Sequence, residues 1–274
     1  MPEISPKAVV LNPAGLADDV RVGAFTFLGP DVTVGAGTVL HNSVTVVGVT
    51  SLGAGCELFP GCVAGAPPAA VPEARGGACR IGDRNILREH VFIEAGAGGG
   101  PGTFLGDVNL LMVGCHVGHD ARIEGEGIFA NFTQIDPHGR IEKFVRTSGL
   151  TSVGSYATVG AYTFTTGYAS VEADVPPYAI VQGLPSHVRC VNVENLRRCG
   201  FDEETIRLLK ASFRALFNGR GDAPSPRMLQ EVLEGQDNEH VRYLVESLRS
   251  SLASPTGKRL EAAGAADGVA SDGP

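Results

Sequence analysis

From Val10 onward the chain sets an aliphatic side chain at every sixth residue: Val10, Leu16, Val22, Leu28, Val34, Leu40, Val46, Leu52 and Leu58 share one repeating slot. Neither the 3.6-residue period of an α-helix nor the two-residue alternation of an ordinary strand produces that spacing. It predicts an all-β solenoid, a parallel β-helix of hexapeptide repeats whose aliphatics point inward from the middle of short flat sides. Three sides make a triangular coil of roughly eighteen residues, so positions eighteen apart are expected one above the other. Gly follows the inward residue at Val22-Gly23, Leu28-Gly29, Val34-Gly35 and Leu52-Gly53, which suits a corner or a close approach between coils.

The register slips by one over the Pro/Ala/Gly-rich stretch 66–80 and resumes at Ile81, Leu87 and Ile93. A second irregular stretch, 95–103, keeps phase, because Leu105, Leu111, Val117 and Ile123 follow in step and the run continues to Val171 with only Gly99, Thr147 and Thr165 breaking it. Both stretches are expected as loops leaving the coil, the usual seat of function on a solenoid. The repeat ends near Pro176-Pro177. From Val191 the period turns helical, with Asp202 as an N-cap close to Thr205 and an apolar face of Ile206, Leu209, Phe213, Leu216 and Phe217. Two further helical stretches, about 226–234 and 238–252, follow the turn Asn218-Gly219-Arg220-Gly221. The expected organisation is a β-helix over 1–188, a small α-helical C-terminal domain over 189–253, and a disordered Ala/Gly/Asp/Ser tail over 254–274.

With 43% hydrophobic residues, 37 Gly and no Trp among 274 residues, the core must be long and aliphatic. The six Cys are scattered with no CxxC pair, which argues against a zinc knuckle or a disulfide framework, and Cys56 and Cys62 read as small corner fillers. A net charge of −8 disfavours nucleic acid as a partner. The start Met1-Pro2-Glu3-Ile4-Ser5 has neither a basic n-region nor an apolar h-region, and no segment approaches a membrane span, so a soluble cytoplasmic protein is expected. Against the acidic background, Arg207, Lys210 and Arg214 recur at helical spacing as a basic stripe.

Chemistry concentrates in Cys115-His116-Val117-Gly118-His119-Asp120, with His138 one coil on from Asp120 by the eighteen-residue ruler. A lone His on a solenoid edge usually just faces water, but three imidazoles and a carboxylate on one edge are a constellation. Val117 is inward, so His119 two places later is expected to project outward within a substrate's reach. One chemistry open to the group is general-base catalysis by an imidazole oriented by its neighbouring carboxylate. The other is zinc binding. Zinc-binding β-helix enzymes pair two His four residues apart, whereas here the spacing is His116-x-x-His119, so no metal is expected.

The stretches Ile81-Gly-Asp-Arg-Asn85, Asn109-Leu-Leu-Met112, His116-Val-Gly-His-Asp120, Asp174-Val-Pro-Pro-Tyr178, Gln182-Gly183 and Asn192-Val-Glu-Asn-Leu-Arg-Arg198 with Gly200-Phe201 resemble the bacterial UDP-N-acetylglucosamine O-acyltransferase family, over about Val10 to Phe217. The resemblance implies a left-handed β-helix homotrimer with a helical C-terminal domain. It implies transfer of a 3-hydroxyacyl chain from acyl carrier protein to the 3-hydroxyl of UDP-N-acetylglucosamine, the first step of lipid A synthesis. No cofactor is implied beyond the phosphopantetheine of the carrier. Carried over residue by residue, His119 is the general base and Asp120 orients it. His116 and His138 line the sugar and phosphopantetheine region, and Asn192, Glu194 and Arg198 serve the nucleotide and carrier side. Gly167 sits where longer acyl grooves keep a Gly, and Arg207, Lys210 and Arg214 suit the acidic carrier.

Several positions depart from the family. Its Gly before the residue matching His138, whose N–H serves the oxyanion, is here Pro137, which has none. Its Gln-Asp-Leu-Lys loop is replaced by Ala69-Ala-Val-Pro72, its His-Arg-Gly by Glu94-Ala95-Gly96, and a later His-Gln by Gly154-Ser155. These changes leave two alternatives standing: acyl transfer to a different nucleotide-linked amino sugar, and a catalytically impaired scaffold of the same fold.

Overall fold

The protein was analysed as a computed structural model, which describes residues 1–69, 77–217, 224–235 and 237–261. Most of the substituted loop Ala69-Ala-Val-Pro72, the turn at 218–221 and the tail beyond 261 lie outside the described residues.

Each hexad contributes one short strand, most often two residues with the inward aliphatic buried, and then turns. Among the described residues these strands stack in parallel, a left-handed parallel β-helix with three sheets of eleven, nine and seven strands, the eleventh strand of the largest running antiparallel. The ruler holds: Val10 pairs with Leu28, Leu28 with Val46, and Gln134 with Ser152. Leu58 instead pairs with Leu87, so the first excursion adds eleven residues to a coil. Leu87 pairs with Leu111, so the second adds six, one whole hexad, and phase survives it.

The glycines correct half of the sequence expectation. The left-handed corner positions are held mostly by other residues, among them Asp120, His138 and Tyr156 at φ of 56°, 60° and 62°. Gly23 and Gly35 are not at such corners. A Cβ on either would stand 2.6 Å from the backbone carbonyl carbon of His41 or Gly53 in the next coil. Contact between coils is therefore what demands glycine there.

The core is a column of fully buried Leu and Ile, including Leu28, Leu58, Leu87, Ile93, Ile123 and Ile135, each contributing roughly 1.5–3 kcal/mol by leaving water. Thr147 and Thr165, the polar breaks in the run, bond inside the column to Thr133 (2.7 Å) and Thr151 (3.0 Å), which satisfies their hydroxyls. Cys56, Cys62, Cys79 and Cys115 are buried free thiols.

Past the last coil, strand Ala179–Gln182 extends one sheet and pairs antiparallel with His187–Val191, a hairpin the hexad pattern does not announce. Four helices follow among the described residues: α1 (Val193–Arg198), α2 (Glu203–Leu216), α3 (Pro226–Glu234) and α4 (Glu239–Leu252). Asp202 caps α2, its carboxylate accepting the Thr205 amide at 2.7 Å and hydroxyl at 3.0 Å. Ile206, Leu209, Phe213 and Leu216 are its buried face.

Residues 254–261 correct the expectation of a tail disordered from 254. The Arg259 guanidinium donates to buried Glu142 at 2.9 Å, its backbone N–H donates to Asp174 at 3.0 Å, and the Gly257 carbonyl accepts the Asp174 amide at 2.9 Å. The physical reason is two buried carboxylates on the coil, Glu142 and Asp174, that need a cation. The local composition around Arg259 hides that need.

Candidate active site

The expected catalytic residues, His119 and Asp120, stand on the corner between strands His116–Val117 and Arg122–Gly125. His119 Nδ1 lies 3.0 Å from Asp120 Oδ2. An ionised carboxylate only accepts, so Nδ1 carries the hydrogen and Nε2 keeps its lone pair. Three bonds fix the pair. The Ala97 amide donates to Asp120 Oδ2 at 2.9 Å, the Asp120 amide donates to Thr103 Oγ1 at 2.9 Å, and the His119 amide donates to Glu94 Oε2 at 2.9 Å.

His119 is only 4% exposed in the protomer, which corrects the expectation of an outward, open side chain. The loop after Glu94 folds across the corner. Its glycines permit this, since a Cβ on Gly96 would stand 2.8 Å from Asp120 Oδ1. That oxygen is buried and accepts no hydrogen bond among the described residues.

His138 lies one coil along from Asp120, as the ruler requires. Its amide donates to the His119 carbonyl at 3.0 Å, its ring meets the His119 ring edge-on at 5.1 Å, and it stacks on Tyr156 at 4.5 Å and 8°. Asp120, His138 and Tyr156 open onto a cavity of about 400 Å³ whose other walls include Phe104, Arg122, Arg140 and Leu260. Donor atoms of His119, Asp120 and His138 all fall within 4.8 Å of one another, a spacing a metal could also use. With Nδ1 bonded to Asp120, Nε2 is the His119 ring nitrogen left to accept a proton.

His116 is half-buried against Phe92, its Nε2 3.6 Å from Glu94 Oε1. Glu94 thus contacts both His116 and His119, while Oε1 also accepts the Ala69 amide at 3.0 Å. Burial alone would raise its carboxyl pKa, but His116 and the amides of Ala69 and His119 outweigh burial and hold it below the usual carboxylate value. Asp120 behaves alike: burial opposes ionisation, and the bonds from His119 and the Ala97 amide, with the charge of His138, lower it.

The remaining expected site residues lie elsewhere. Asn192 is buried and caps α1, with its amide nitrogen on the Tyr162 carbonyl at 2.8 Å. Glu194 and Arg198 are exposed on α1, and none of these three lines the cavity beside His138. Gly167 is exposed, and a Cβ there would make only ordinary contacts of 3.7 Å with the Gly149 carbonyl and Ser148 Oγ. The basic stripe divides. Arg207 is tied to Glu204 by bonds of 2.6 and 2.9 Å, whereas Lys210 and Arg214 rim a groove of about 340 Å³ with Arg189 over Val188, Val191, Phe213 and Phe217.

Sequence reasoning missed Glu94 as the fastener of the edge, Tyr156 as the wall of His138 and Thr103 as the acceptor for Asp120. The ruler could have found Tyr156, eighteen beyond His138. Glu94 gave no such signal, because the loop between it and the corner displaces the count.

A family profile described as UDP N-acetylglucosamine O-acyltransferase, domain 2, matches residues 174–256. An acyl-[acyl-carrier-protein]–UDP-N-acetylglucosamine O-acyltransferase from Stenotrophomonas maltophilia is 39% identical over 243 residues, 86% of this chain and 92% of the relative. The chain belongs to that acyltransferase family. A relative of the same description from Synechocystis is 37% identical over 75% of this chain and 74% of its own. The solved UDP-N-acetylglucosamine acyltransferase from Bacteroides fragilis superposes with a TM-score of 0.84 at 29% identity, covering 90% of this chain and 96% of that one. Similarity to this acyltransferase family therefore spans the β-helix with its His-Asp corner as well as the helical segment.

Proposed function

We propose that this protein transfers a 3-hydroxyacyl chain from acyl carrier protein to the 3-hydroxyl of UDP-N-acetylglucosamine, the opening step of lipid A synthesis. The observation that carries the reading is the His119–Asp120 pair, with Nδ1 bonded to the carboxylate and Nε2 left basic. In the reaction Nε2 takes the sugar hydroxyl proton as that oxygen bonds to the thioester carbon. Asp120 supports the resulting imidazolium. When the tetrahedral adduct collapses, the C–S bond breaks, the ester remains on the sugar, and the proton passes from Nε2 to the departing pantetheine sulfur. General-base action of this kind contributes roughly 10²–10⁴ in rate.

The oxyanion requires a donor that this corner's backbone does not offer, because Pro137 has no N–H and the His138 N–H is bonded to the His119 carbonyl. The His138 side chain, edge-on to His119, takes that role in our reading. Asn192, Glu194 and Arg198 serve the nucleotide and carrier side from a neighbouring copy, since none of them lines the cavity in their own protomer; a homotrimer supplies that neighbour. Lys210 and Arg214, with the apolar groove they rim, receive the acidic carrier protein. Phosphopantetheine arrives on the carrier, so the protein needs no cofactor of its own. Among the described residues no helix is long and apolar enough to cross a membrane, which agrees with a cytoplasmic reaction.

The test is transfer from 3-hydroxyacyl carrier protein to radiolabelled UDP-N-acetylglucosamine. Wild type should form the ester, His119→Ala should form none, and both should show the same oligomer by light scattering. Absence of product from wild type with this acceptor, but product with another UDP-amino sugar, would move the acceptor and keep the chemistry.

A further inference from the structure

The sheet that leaves the catalytic corner carries an unusual outward row. Register places Arg80 beside Phe104, Phe104 beside Arg122, and Arg122 beside Arg140, one rung each. Rungs lie about 4.8 Å apart, and like charges set directly opposite each other destabilise a sheet. In a chain of net charge −8, general basicity does not account for the row.

Its neutralisation is incomplete. Arg140 has a carboxylate partner, Glu124 at 2.7 Å, yet its Nε is buried with no acceptor among the described residues. Arg80 donates to the Pro101 carbonyl at 2.7 Å, a dipole rather than a charge. Arg122 lies over the Phe104 ring at 4.5 Å. Among the described residues neither Arg80 nor Arg122 has an ion-pair partner. All three line the cavity of about 400 Å³ that also holds Asp120, His138 and Tyr156.

We propose that Arg80, Arg122 and Arg140 form a phosphate-binding subsite opening directly from the catalytic corner. Guanidinium forks match phosphate oxygens two at a time, and the Phe104 ring under Arg122 helps to position it. The inference rests on the acyl-transfer reading above, which offers two sources of the same chemistry. One is the diphosphate of the UDP-sugar, and the other is the phosphodiester at the base of the phosphopantetheine arm.

The experiment compares wild type with Arg122→Gln and the Arg80→Gln/Arg122→Gln pair as full-length protein. Both residues are exposed, and thermal melts verify that each variant is folded. Pyrophosphate and UDP affinities are measured by calorimetry, and KM is measured for UDP-N-acetylglucosamine, acyl-phosphopantetheine and acyl-pantetheine. Loss of a charge-assisted contact should raise the constants of the phosphate-bearing ligand by about 10–100-fold while kcat changes only a few-fold. A rise confined to UDP-sugar, UDP and pyrophosphate assigns the diphosphate. Loss of the preference for acyl-phosphopantetheine over acyl-pantetheine assigns the arm. Arg122→Lys should fall between, keeping charge and losing the fork. Unchanged pyrophosphate affinity together with unchanged KM for every substrate would overturn the subsite. Wild type that binds pyrophosphate through these arginines but forms no ester would leave the subsite standing and sink only the acyl-transfer reading.

Discussion

The amide of His119 is fastened to the side chain of Glu94: its N–H reaches Oε2 at 2.9 Å across 25 residues of chain. The other oxygen accepts the Ala69 amide and faces His116, so one buried carboxylate ties together the start of the first excursion, the start of the second and the His119–Asp120 corner. This chain places there a group that accepts on both oxygens.

Glu94→Gln should therefore harm both stability and rate. A Gln side chain has one acceptor oxygen and cannot hold both amides; where the buried His119 amide is the one left unpaired, the cost is about 1–3 kcal/mol. Turnover should fall through misplacement of His119, with KM values moving less than kcat. The pH dependence carries the sign of a depressed carboxyl. Glu94 contributes stability above its unfolded value and loses it as pH falls through the folded one. Melting temperatures measured from about pH 7 down to about pH 3 should fall less steeply in Glu94→Gln than in wild type. Parallel curves would mean Glu94 is bonded no better in the fold than in the unfolded chain.

Arg259→Ala should leave Glu142 and Asp174 buried without their cation. Breaking one partner of such a group typically costs 3–5 kcal/mol, ~3 at the least. The same change frees Leu260 from the cavity wall beside His138. Thermal melts should show the loss, and limited proteolysis should cut within 254–261 in the variant before wild type. An unaltered melt would place these contacts among the ones that solvent replaces.

Gly167→Met tests the acyl groove. The added Cβ finds only 3.7 Å contacts, so the fold should accept it. The preferred acyl chain should shorten, since each methylene denied burial forfeits about 0.8 kcal/mol. Product chain lengths read by mass spectrometry from a mixed donor pool decide it, and an unchanged profile removes Gly167 from the groove.

The hexad pattern made the coil legible because a solenoid repeats one local decision: an inward aliphatic in every side. That is why the ruler placed His138 and Asp120 together and why the six-residue excursion preserved phase. What it missed is non-local or inserted. The hairpin at 179–191 follows no hexad, Glu94 reaches across a loop, and Arg259 finds partners 85 and 117 residues away. His119 was read as open because the ruler gives the direction of a side chain, but not the loop that folds over it.

Chelation should leave the rate untouched if the corner moves protons rather than holding a metal. Dialysis against EDTA followed by the transfer assay checks this, and activity lost to EDTA and restored by zinc would instead assign His119, Asp120 and His138 as ligands.

Pro137 offers the sharpest test of how this corner stabilises the oxyanion. Its ring Cδ stands over Gly118, 2.9 Å from where a Gly118 Cβ would be, so an N–H in its place would point over the residue next to His119. Pro137→Gly supplies that N–H and preserves the carbonyl that accepts from Tyr156. If the ester-forming step lacks a backbone donor, turnover should rise, with a ceiling of about 10²–10³ set by one such donor. Some of the gain will be offset, because Gly also frees a corner that Pro stiffens, and the melt should fall by roughly 0.4–1 kcal/mol. Combined with His119→Ala, the faster background should again be inactive, since a donor cannot replace the base. A slower Pro137→Gly would show that the His138 ring, which serves the oxyanion in our reading, depends on the rigid proline to hold it there. In that case His138→Ala should cost as much in the Pro137 protein as one oxyanion donor does, and far less in the Pro137→Gly background, where the backbone supplies a donor of its own.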